Sequence, residues 1–182
     1  MSVRTRLAGL AVPGLLALLD LWTKALAGPY PDGAYASRDA TVVVPGWLEF
    51  RASWNPGALF GFDWFPPLLL LVLTALAVPL LLWWILAPRR VGWTENLGKL
   101  LVLGGALGNL HDRIRWGRVR DFINVYYGTM EPRPSGDPAR HWPTFNLADS
   151  CLVVGVGLLL LVCFLEWRGQ RGSEGRAGGT AP

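Results

Sequence analysis

Residues 65–87 read FPPLLLLVLTALAVPLLLWWILA, a run without a single charged side chain. A helix needs about 20 apolar residues to cross the hydrocarbon core of a bilayer. Three further stretches are apolar and of comparable length, namely residues 7–27, 97–114 and 145–167, of which 97–114 is the least hydrophobic. We therefore predict a membrane all-α protein with four transmembrane helices.

The overall composition agrees with a location in lipid. Of the 182 residues, 52% are hydrophobic, and the mean hydropathy of +0.32 exceeds what a soluble domain of this size needs to fill one core. The net charge of +4 comes almost wholly from arginine, since Lys24 and Lys99 are the only lysines. The arginines stand in short runs beside the apolar stretches, and many of the 10 tryptophans lie near their ends, as is typical of a membrane interface. The basic residues therefore indicate membrane lipids as partners and no nucleic acid.

The first apolar stretch could be a cleavable signal peptide, because it follows Arg4 and Arg6. Its length and the ionisable pair Asp20 and Lys24 favour a helix that the protein keeps. Arginines precede the first span and follow the second and fourth, so the positive-inside rule places both termini in the cytoplasm. The loop 115–144 also holds five arginines, although this scheme places the loop outside.

The segments between the spans differ in character. Residues 28–64 include two β-prone runs, 41–44 and 47–54, bounded by proline and glycine. They predict a small β-rich extracytoplasmic subdomain between helices 1 and 2. Residues 115–144 are interpreted as an outer loop. Residues 168–182, rich in Gly, Arg and Ser, are predicted to form a disordered cytoplasmic tail.

Few side chains are available to bind metals or form disulfides. Cys151 and Cys163 belong to one apolar run and would lie roughly 18 Å apart on a helix, too far to pair. His111 and His141 are the only histidines, and no Cys cluster supplies the remaining ligands of a zinc site. We expect neither a metal nor an organic cofactor.

Ionisable side chains inside a span cost about 2.5–3.5 kcal/mol each, so they indicate pairing or function. Asp20 and Lys24 are one helical turn apart and can form a salt bridge, for which we predict a supporting structural role. Asn109, Asp112 and Arg113 share one helical face at the end of the third span, where we expect a functional site.

Two further aspartates flank the loop between the last two spans. Alone, Asp149 is explained equally well as a helix cap, three residues after Asn146 on the same helical face. If Asp121 and Asp149 approach each other, the two carboxylates can share one proton and place an acid and a base around one water. The return from the third span to the fourth makes this approach feasible. We therefore predict peptide hydrolysis by this pair.

Two other classes of protein stay open on the residues alone. A proton-coupled membrane transporter would use Asp20, Lys24, Asp112 and Asp149 as a relay, although the chain has no internal repeat. A non-enzymatic scaffold would leave the polar residues at one membrane face unexplained.

Four ordered motifs resemble those of the lipoprotein signal peptidase family, also called signal peptidase II. They are Asn55-Pro-Gly-Ala-Leu-Phe-Gly, Gly104-Gly105-Ala-Leu-Gly-Asn109-Leu-His-Asp112-Arg113, Asp121-Phe-Ile and Phe145-Asn146-Leu-Ala-Asp149. With Asp20 and Lys24 in the first span, the resemblance covers nearly the whole predicted membrane portion.

The resemblance implies an aspartyl endopeptidase of the bacterial inner membrane, with its site near the extracytoplasmic face. Its partners would be prolipoproteins, cleaved on the N-terminal side of the diacylglyceryl-modified cysteine, and we expect a monomer. Asp121 and Asp149 match the catalytic pair of the family. The residues that match substrate-binding or supporting positions are Asn55, Gly105, Asn109, Arg113 and Asn146. The residues at the other polar positions of these motifs are Asp20, Lys24 and Asp112.

The sequence departs from the family pattern at a few places. Leu59 and His111 occupy variable positions, and Arg120 precedes Asp121 where an apolar residue is more familiar. The stretch 130–143 is longer than usual, so we expect it to alter access to the site or substrate preference.

Overall fold

The structure is a computed structural model that describes residues 8–31, 39–57, 66–87, 91–127 and 140–177. Its long helices are α1 (Ala11–Ala27), α2 (Pro67–Leu86), α3 (Trp93–Trp116) and α4 (Leu147–Ala177). Its strands are β1 (Thr41–Val44), β2 (Leu48–Asn55), β3 (Val119–Tyr127) and β4 (Arg140–His141).

Each predicted span coincides with one of these helices, so the helical prediction is confirmed. By length and composition, α2 and residues Leu147–Arg171 of α4 can cross a membrane. Helix α1 has only 17 residues, and α3 carries charged side chains along its length, so neither meets the same criterion. Crossing by all four helices stays a prediction.

The surfaces of α2 and α4 are unusually apolar for a protein in water. Leu68, Leu76 and Leu80 on α2 are 58–69% exposed, and Leu160 on α4 is 64% exposed. Contiguous exposed apolar side chains of this kind are stabilised when another apolar phase covers them. These two helices are therefore suited to contact with lipid chains.

Helix α3 lies at the centre and packs against α1, α2 and, most extensively, α4. Small residues allow the closest approach to α4: a Cβ on Gly155 would lie 2.7 Å from Val102 Cγ2 and 2.8 Å from the carbonyl oxygen of Gly98. On another side of α3, the buried side chains of Leu100 and Leu103 pack with Ile85 of α2. The tight α3–α4 contact brings the C-terminal half of α3 beside the start of α4.

The strands form an antiparallel sheet in the order β1-β2-β3-β4. Strands β1 and β2 confirm the predicted strands between the first two helices. The restriction of the sheet to that segment is wrong, because β3 and β4 lie in the predicted outer loop 115–144. In β3, β-branched and aromatic residues favour a strand.

A glycine in the left-handed conformation follows helix α3. Helix α3 ends at Gly117, whose φ of 67° is readily available only to glycine, and its N–H donates to the carbonyl of Arg113 at 3.0 Å. This turn leads directly into β3.

Helix α4 continues to Ala177, so the prediction of a disordered tail from residue 168 is wrong over 168–177. No proline interrupts this stretch, and each added residue extends an existing helix with one more hydrogen bond.

We predict that Gly155→Ala lowers the free energy of unfolding by about 1–3 kcal/mol, because its methyl group would overlap Val102 and the backbone of Gly98. Gly157→Ala is the matched control on the same helix, since nothing lies within 4 Å of its Cβ position. Thermal unfolding in detergent measures both variants. Equal stability of the two variants would contradict close packing at Gly155.

Candidate active site

The polar residues meet at one end of the helix bundle. The C-terminal parts of α1 and α3, the start of α4 and strand β3 all contribute to this region. Helix α3 begins at Trp93, at the end opposite to its polar residues Asn109 and Asp112. The site is therefore assembled from segments far apart in the chain.

Asn146 and Asp149 form a reciprocal cap at the start of α4. The N–H of Asp149 donates to Asn146 Oδ1 at 2.9 Å, and the N–H of Asn146 donates to Asp149 Oδ2 at 3.1 Å. This is the hydrogen-bonding pattern of a capping box. The capping interpretation of Asp149 is thus correct, and it does not exclude a second role.

Asp121 lies beside this cap and is only 1% exposed. Its Oδ1 accepts from Asn146 Nδ2 at 2.7 Å, and its Oδ2 accepts from Asn55 Nδ2 at 3.0 Å. The β2–β3 pairing brings Asn55 to Asp121, since Ser53 is opposite Asp121 in the register. Asn146 therefore bonds to both aspartates and bridges them.

Asn109 supports the pair from α3. Its Nδ2 donates to Asp149 Oδ1 at 2.8 Å, while its Oδ1 accepts from Lys24 Nζ at 3.0 Å and from Asn146 Nδ2 at 3.1 Å. Each of the four carboxylate oxygens of Asp121 and Asp149 thus accepts one N–H donor from an uncharged group.

Behind the pair lies a chain of buried charges. The predicted salt bridge between Lys24 and Asp20 is confirmed at 2.7 Å, and Lys24 Nζ also lies 3.2 Å from Asp112 Oδ2. Asp112 also accepts from Arg120, at 2.8 Å from the guanidinium and 3.1 Å from the backbone N–H. In the sequence, Arg120 stands out only as a departure from the family pattern. Its pairing with Asp112 could not be found without knowing how β3 follows α3.

Two other predicted residues lie at the edge of the site. A Cβ on Gly105 would collide with the carbonyl oxygen of Ala148, so Gly105 lets the first turn of α4 approach α3. Arg113 is half-buried, and its charge interacts with those of Asp149, Asp121 and Asp112. Among the described residues, no carboxylate lies within salt-bridge distance of Arg113.

Some predicted features lie outside the described residues. They are Leu59 with the rest of the 58–62 stretch, and most of the long stretch 130–143. Within the described part of the chain, no group of three or more His, Cys, Asp or Glu side chains is arranged to hold a metal ion.

The surroundings of Asp121 favour its protonated form. Burial raises the pKa of Asp121 well above its ordinary value of 3.8, and the negative charge of Asp149 raises it further. Hydrogen bonds from Asn55 and Asn146 act in the opposite direction. No lysine or arginine in the described ranges lies within salt-bridge distance of Asp121 or Asp149. Two neighbouring carboxyl groups with one proton between them can act as an acid and a base toward water.

Comparison with known proteins points to one family of enzymes. A family model described as Signal peptidase (SPase) II matches residues 12–165. The chain is similar to the lipoprotein signal peptidase of Syntrophus aciditrophicus (strain SB), with 36% identity over 86% of this chain and 91% of that protein. It is also similar to that of Chlorobaculum tepidum, with 36% identity over 80% and 86% of the two chains. A solved structure described as a bacterial membrane enzyme has the same fold, with a TM-score of 0.68, 23% identity and coverage of 87% of this chain and 88% of that chain.

The fold and these relatives define a peptidase that is integral to a membrane. The chain belongs to the signal peptidase II family. The proton-coupled transporter considered from the sequence finds no support in these comparisons.

We predict that the raised pKa of Asp121 makes the protein less stable as the pH rises. Above its ordinary pKa of 3.8, Asp121 ionises in the unfolded chain but keeps its proton in the folded one, so the folded state binds more protons. The stability that Asp121 confers is present below pH 3.8. It is lost as the pH rises through the pKa that Asp121 has in the folded protein. The melting temperature of the wild type minus that of Asp121→Asn should therefore fall as the pH rises above 3.8.

The control for this prediction is the same comparison made in an Asp149→Asn background. Without the charge of Asp149, one cause of the raised pKa of Asp121 is gone, so the fall should be smaller. A difference in melting temperature that rises with pH would contradict the prediction.

Proposed function

We propose that this protein removes the signal peptide from prolipoproteins at the outer face of the bacterial inner membrane. Asp121 and Asp149 act together on one water and cut on the N-terminal side of the diacylglyceryl-modified cysteine. The substrate class rests on the family, because the curated relatives are lipoprotein signal peptidases. No metal or organic cofactor takes part in the proposed reaction.

The observation that carries the proposed mechanism is the bridge through Asn146. One carboxamide contacts Asp121 through Nδ2 at 2.7 Å and receives the N–H of Asp149 on Oδ1 at 2.9 Å. A rigid group that bonds to both residues supports a fixed geometry between them. Fixed geometry is what a pair needs if one water is to lie within reach of both carboxyl groups.

The surroundings support different protonation states for the two aspartates. Asp121 is buried in the sheet, where burial raises its pKa, so it holds the proton at rest. Asp149 lies in the first turn of α4, where backbone dipoles favour a negative charge, and it accepts N–H donors on both oxygens. Asp149 is therefore the base and Asp121 the acid.

In the proposed reaction, Asp149 accepts a proton from water as the water oxygen attacks the scissile carbonyl carbon. Asp121 donates its proton to the carbonyl oxygen, which gives a neutral tetrahedral diol. Collapse of the diol returns a proton to Asp121, while Asp149 delivers its proton to the leaving nitrogen as the C–N bond breaks. The products are the carboxyl end of the signal peptide and a free amine on the lipidated cysteine, and the pair regains its starting protonation.

The surrounding charges support one shared proton. Lys24, Arg113 and Arg120 carry three positive charges. Asp20, Asp112 and the singly protonated pair carry three negative charges. A second negative charge on the pair would give the cluster a net negative charge. Surroundings of low dielectric make such an uncompensated charge unfavourable.

Arg113 is suited to bind substrate. Its guanidinium is attracted to Asp149 and Asp121 yet has no carboxylate partner within the described ranges. Arginine presents several N–H donors in a planar array. We assign it to the peptide carbonyls of the signal peptide beside the scissile bond.

We also propose an arrangement in the membrane. Four spans place the sheet and the aspartates outside the cytoplasm, with both termini inside. The exposed apolar faces of α2 and α4 contact lipid, and a diacylglyceryl substrate can enter sideways from the bilayer. A monomer contains every residue of the proposed mechanism.

Replacement of either aspartate by asparagine should lower kcat by at least about 1,000-fold, because each carboxyl group transfers a proton that an amide cannot. Cleavage of a synthetic diacylglyceryl prolipoprotein in detergent micelles measures the loss. Asp149→Asn keeps a side-chain oxygen for the N–H of Asn146, so the helix cap and the fold should survive. Asp39→Asn is the control, since Asp39 is exposed and lies outside the site. Substantial cleavage by Asp121→Asn or Asp149→Asn would refute the proposed mechanism.

Fusion to alkaline phosphatase, which is active only outside the cytoplasm, tests the four-span arrangement. Fusions after Gly57 should be active, whereas fusions after Gly92 and Ala177 should be inactive. Fusion to a fluorescent protein that folds only in the cytoplasm should give the reverse pattern. Active phosphatase at Ala177 would show that the number of spans is not even, or that the N-terminus lies outside.

A further inference from the structure

Asn109 connects helix α1 to Asp149 through one carboxamide. Lys24 Nζ donates to Asn109 Oδ1 at 3.0 Å, and Asn109 Nδ2 donates to Asp149 Oδ1 at 2.8 Å. The two ends of a carboxamide differ, since only the nitrogen donates and only the oxygen accepts. A cation at the oxygen end therefore fixes the nitrogen end toward Asp149.

Lys24 is itself held in one orientation. It is completely buried, and its ammonium group lies 2.7 Å from Asp20, 3.2 Å from Asp112 and 3.0 Å from Asn109. The contact with Asn109 is a hydrogen bond, and the carboxylates of Asp20 and Asp112 hold the ammonium group from two further directions as ion pairs. Free rotation of Lys24 would break at least one of these contacts in a buried environment.

We propose that Lys24 is a positioning residue for the reaction, and that it orients the Asn109 carboxamide so that its N–H group stabilises the ionised form of Asp149. Lys24 does not touch the reacting atoms and acts only through Asn109. The inference rests on the proposed function, in which Asp149 is the base. It gives the first membrane helix a role in setting the pH at which the site becomes active.

Asp20 strengthens the same connection. Its Oδ1 accepts the N–H of Ala148 at 2.9 Å, in the first turn of α4 and next to Asp149. Helix α1 therefore contacts the turn that carries Asp149 and, through Lys24, the donor that bonds to the Asp149 side chain. The two contacts are one helical turn apart on α1.

The test must account for every charged group that faces Asp149. These groups come from three elements: Asp20 and Lys24 on α1, Asp112 and Arg113 on α3, and Arg120 and Asp121 on β3. The double variant D20N/K24M removes one negative and one positive charge together, so the net charge of the cluster is unchanged. Asparagine at position 20 keeps an oxygen for the N–H of Ala148.

We expect the acid limb of the kcat/KM profile to move up by about one pH unit in D20N/K24M. Without Lys24, the Asn109 carboxamide can rotate, and Asp149 loses an N–H donor that stabilises its charge. Asn109→Ala removes the same donor directly and should give a similar shift. The triple variant D20N/K24M/N109A should shift no further than N109A, because Lys24 acts through Asn109.

The matched control is E95Q/K99M. Glu95 and Lys99 form a similarly buried pair on α3, also four residues apart and 2.7 Å from each other, toward the other end of the helix. Replacement of both members leaves no unpaired buried charge, and the acid limb of this variant should stay at the wild-type pH. If Lys24 had a purely structural role, the acid limb of the kcat/KM profile of D20N/K24M would also stay at the wild-type pH.

Infrared spectroscopy provides a readout that does not depend on cleavage. The carboxylate band that disappears in Asp149→Asn identifies Asp149, and its stretching frequency should change in D20N/K24M because the hydrogen bond from Asn109 is altered. If wild-type protein fails to cleave the prolipoprotein, the proposed function fails, while this frequency still tests the role of Lys24. Should D20N/K24M not fold, D20N/K24Q replaces it, since glutamine is shorter and uncharged. An unchanged band frequency and an unchanged acid limb in the folded variant would overturn the proposal.

Discussion

The site depends on one small arrangement of hydrogen bonds, the cap that Asn146 and Asp149 form at the start of α4. The cap satisfies backbone N–H groups that the first turn of a helix would otherwise leave without partners. The same Asn146 side chain then reaches Asp121 on the sheet. One element thus stabilises the helix and joins the two aspartates, so the position of Asp149 relative to Asp121 is a consequence of how the helix begins.

The parts of the fold that depend on local patterns could be predicted from the sequence. Runs of apolar residues indicated all four helices, and β-branched runs indicated β1 and β2. Strand β3 was missed because Arg120, Asp121 and Asn124 interrupt its apolar residues, and two of these three polar side chains are buried against partners from distant segments. Pairing with β2 supplies stability that no window of the sequence contains.

The residues of the candidate site could be predicted from the sequence, but the contacts between them could not. The polar motifs indicated which residues would lie together, but a pattern along the chain gives no distance between Asp121 and Asp149. The role of Arg120 was hidden for the same reason. Asp112 takes part in two ion pairs, with Lys24 on α1 and with Arg120 on β3, and only the folded chain brings these three side chains together. Sequence reasoning treated capping and catalysis as alternatives for Asp149, whereas one side chain serves in both arrangements.

The contact between Asp20 and Ala148 joins the first long helix of the chain to the last. During synthesis, α1 is translated long before α4. Asp20 can pair with Lys24 on its own helix, but its hydrogen bond to Ala148 can form only after the first turn of α4 has been made. Because Asp121, Asp149 and the Asn146 that they share also come together only at that point, a nascent chain cannot assemble the proposed site before α4 is made.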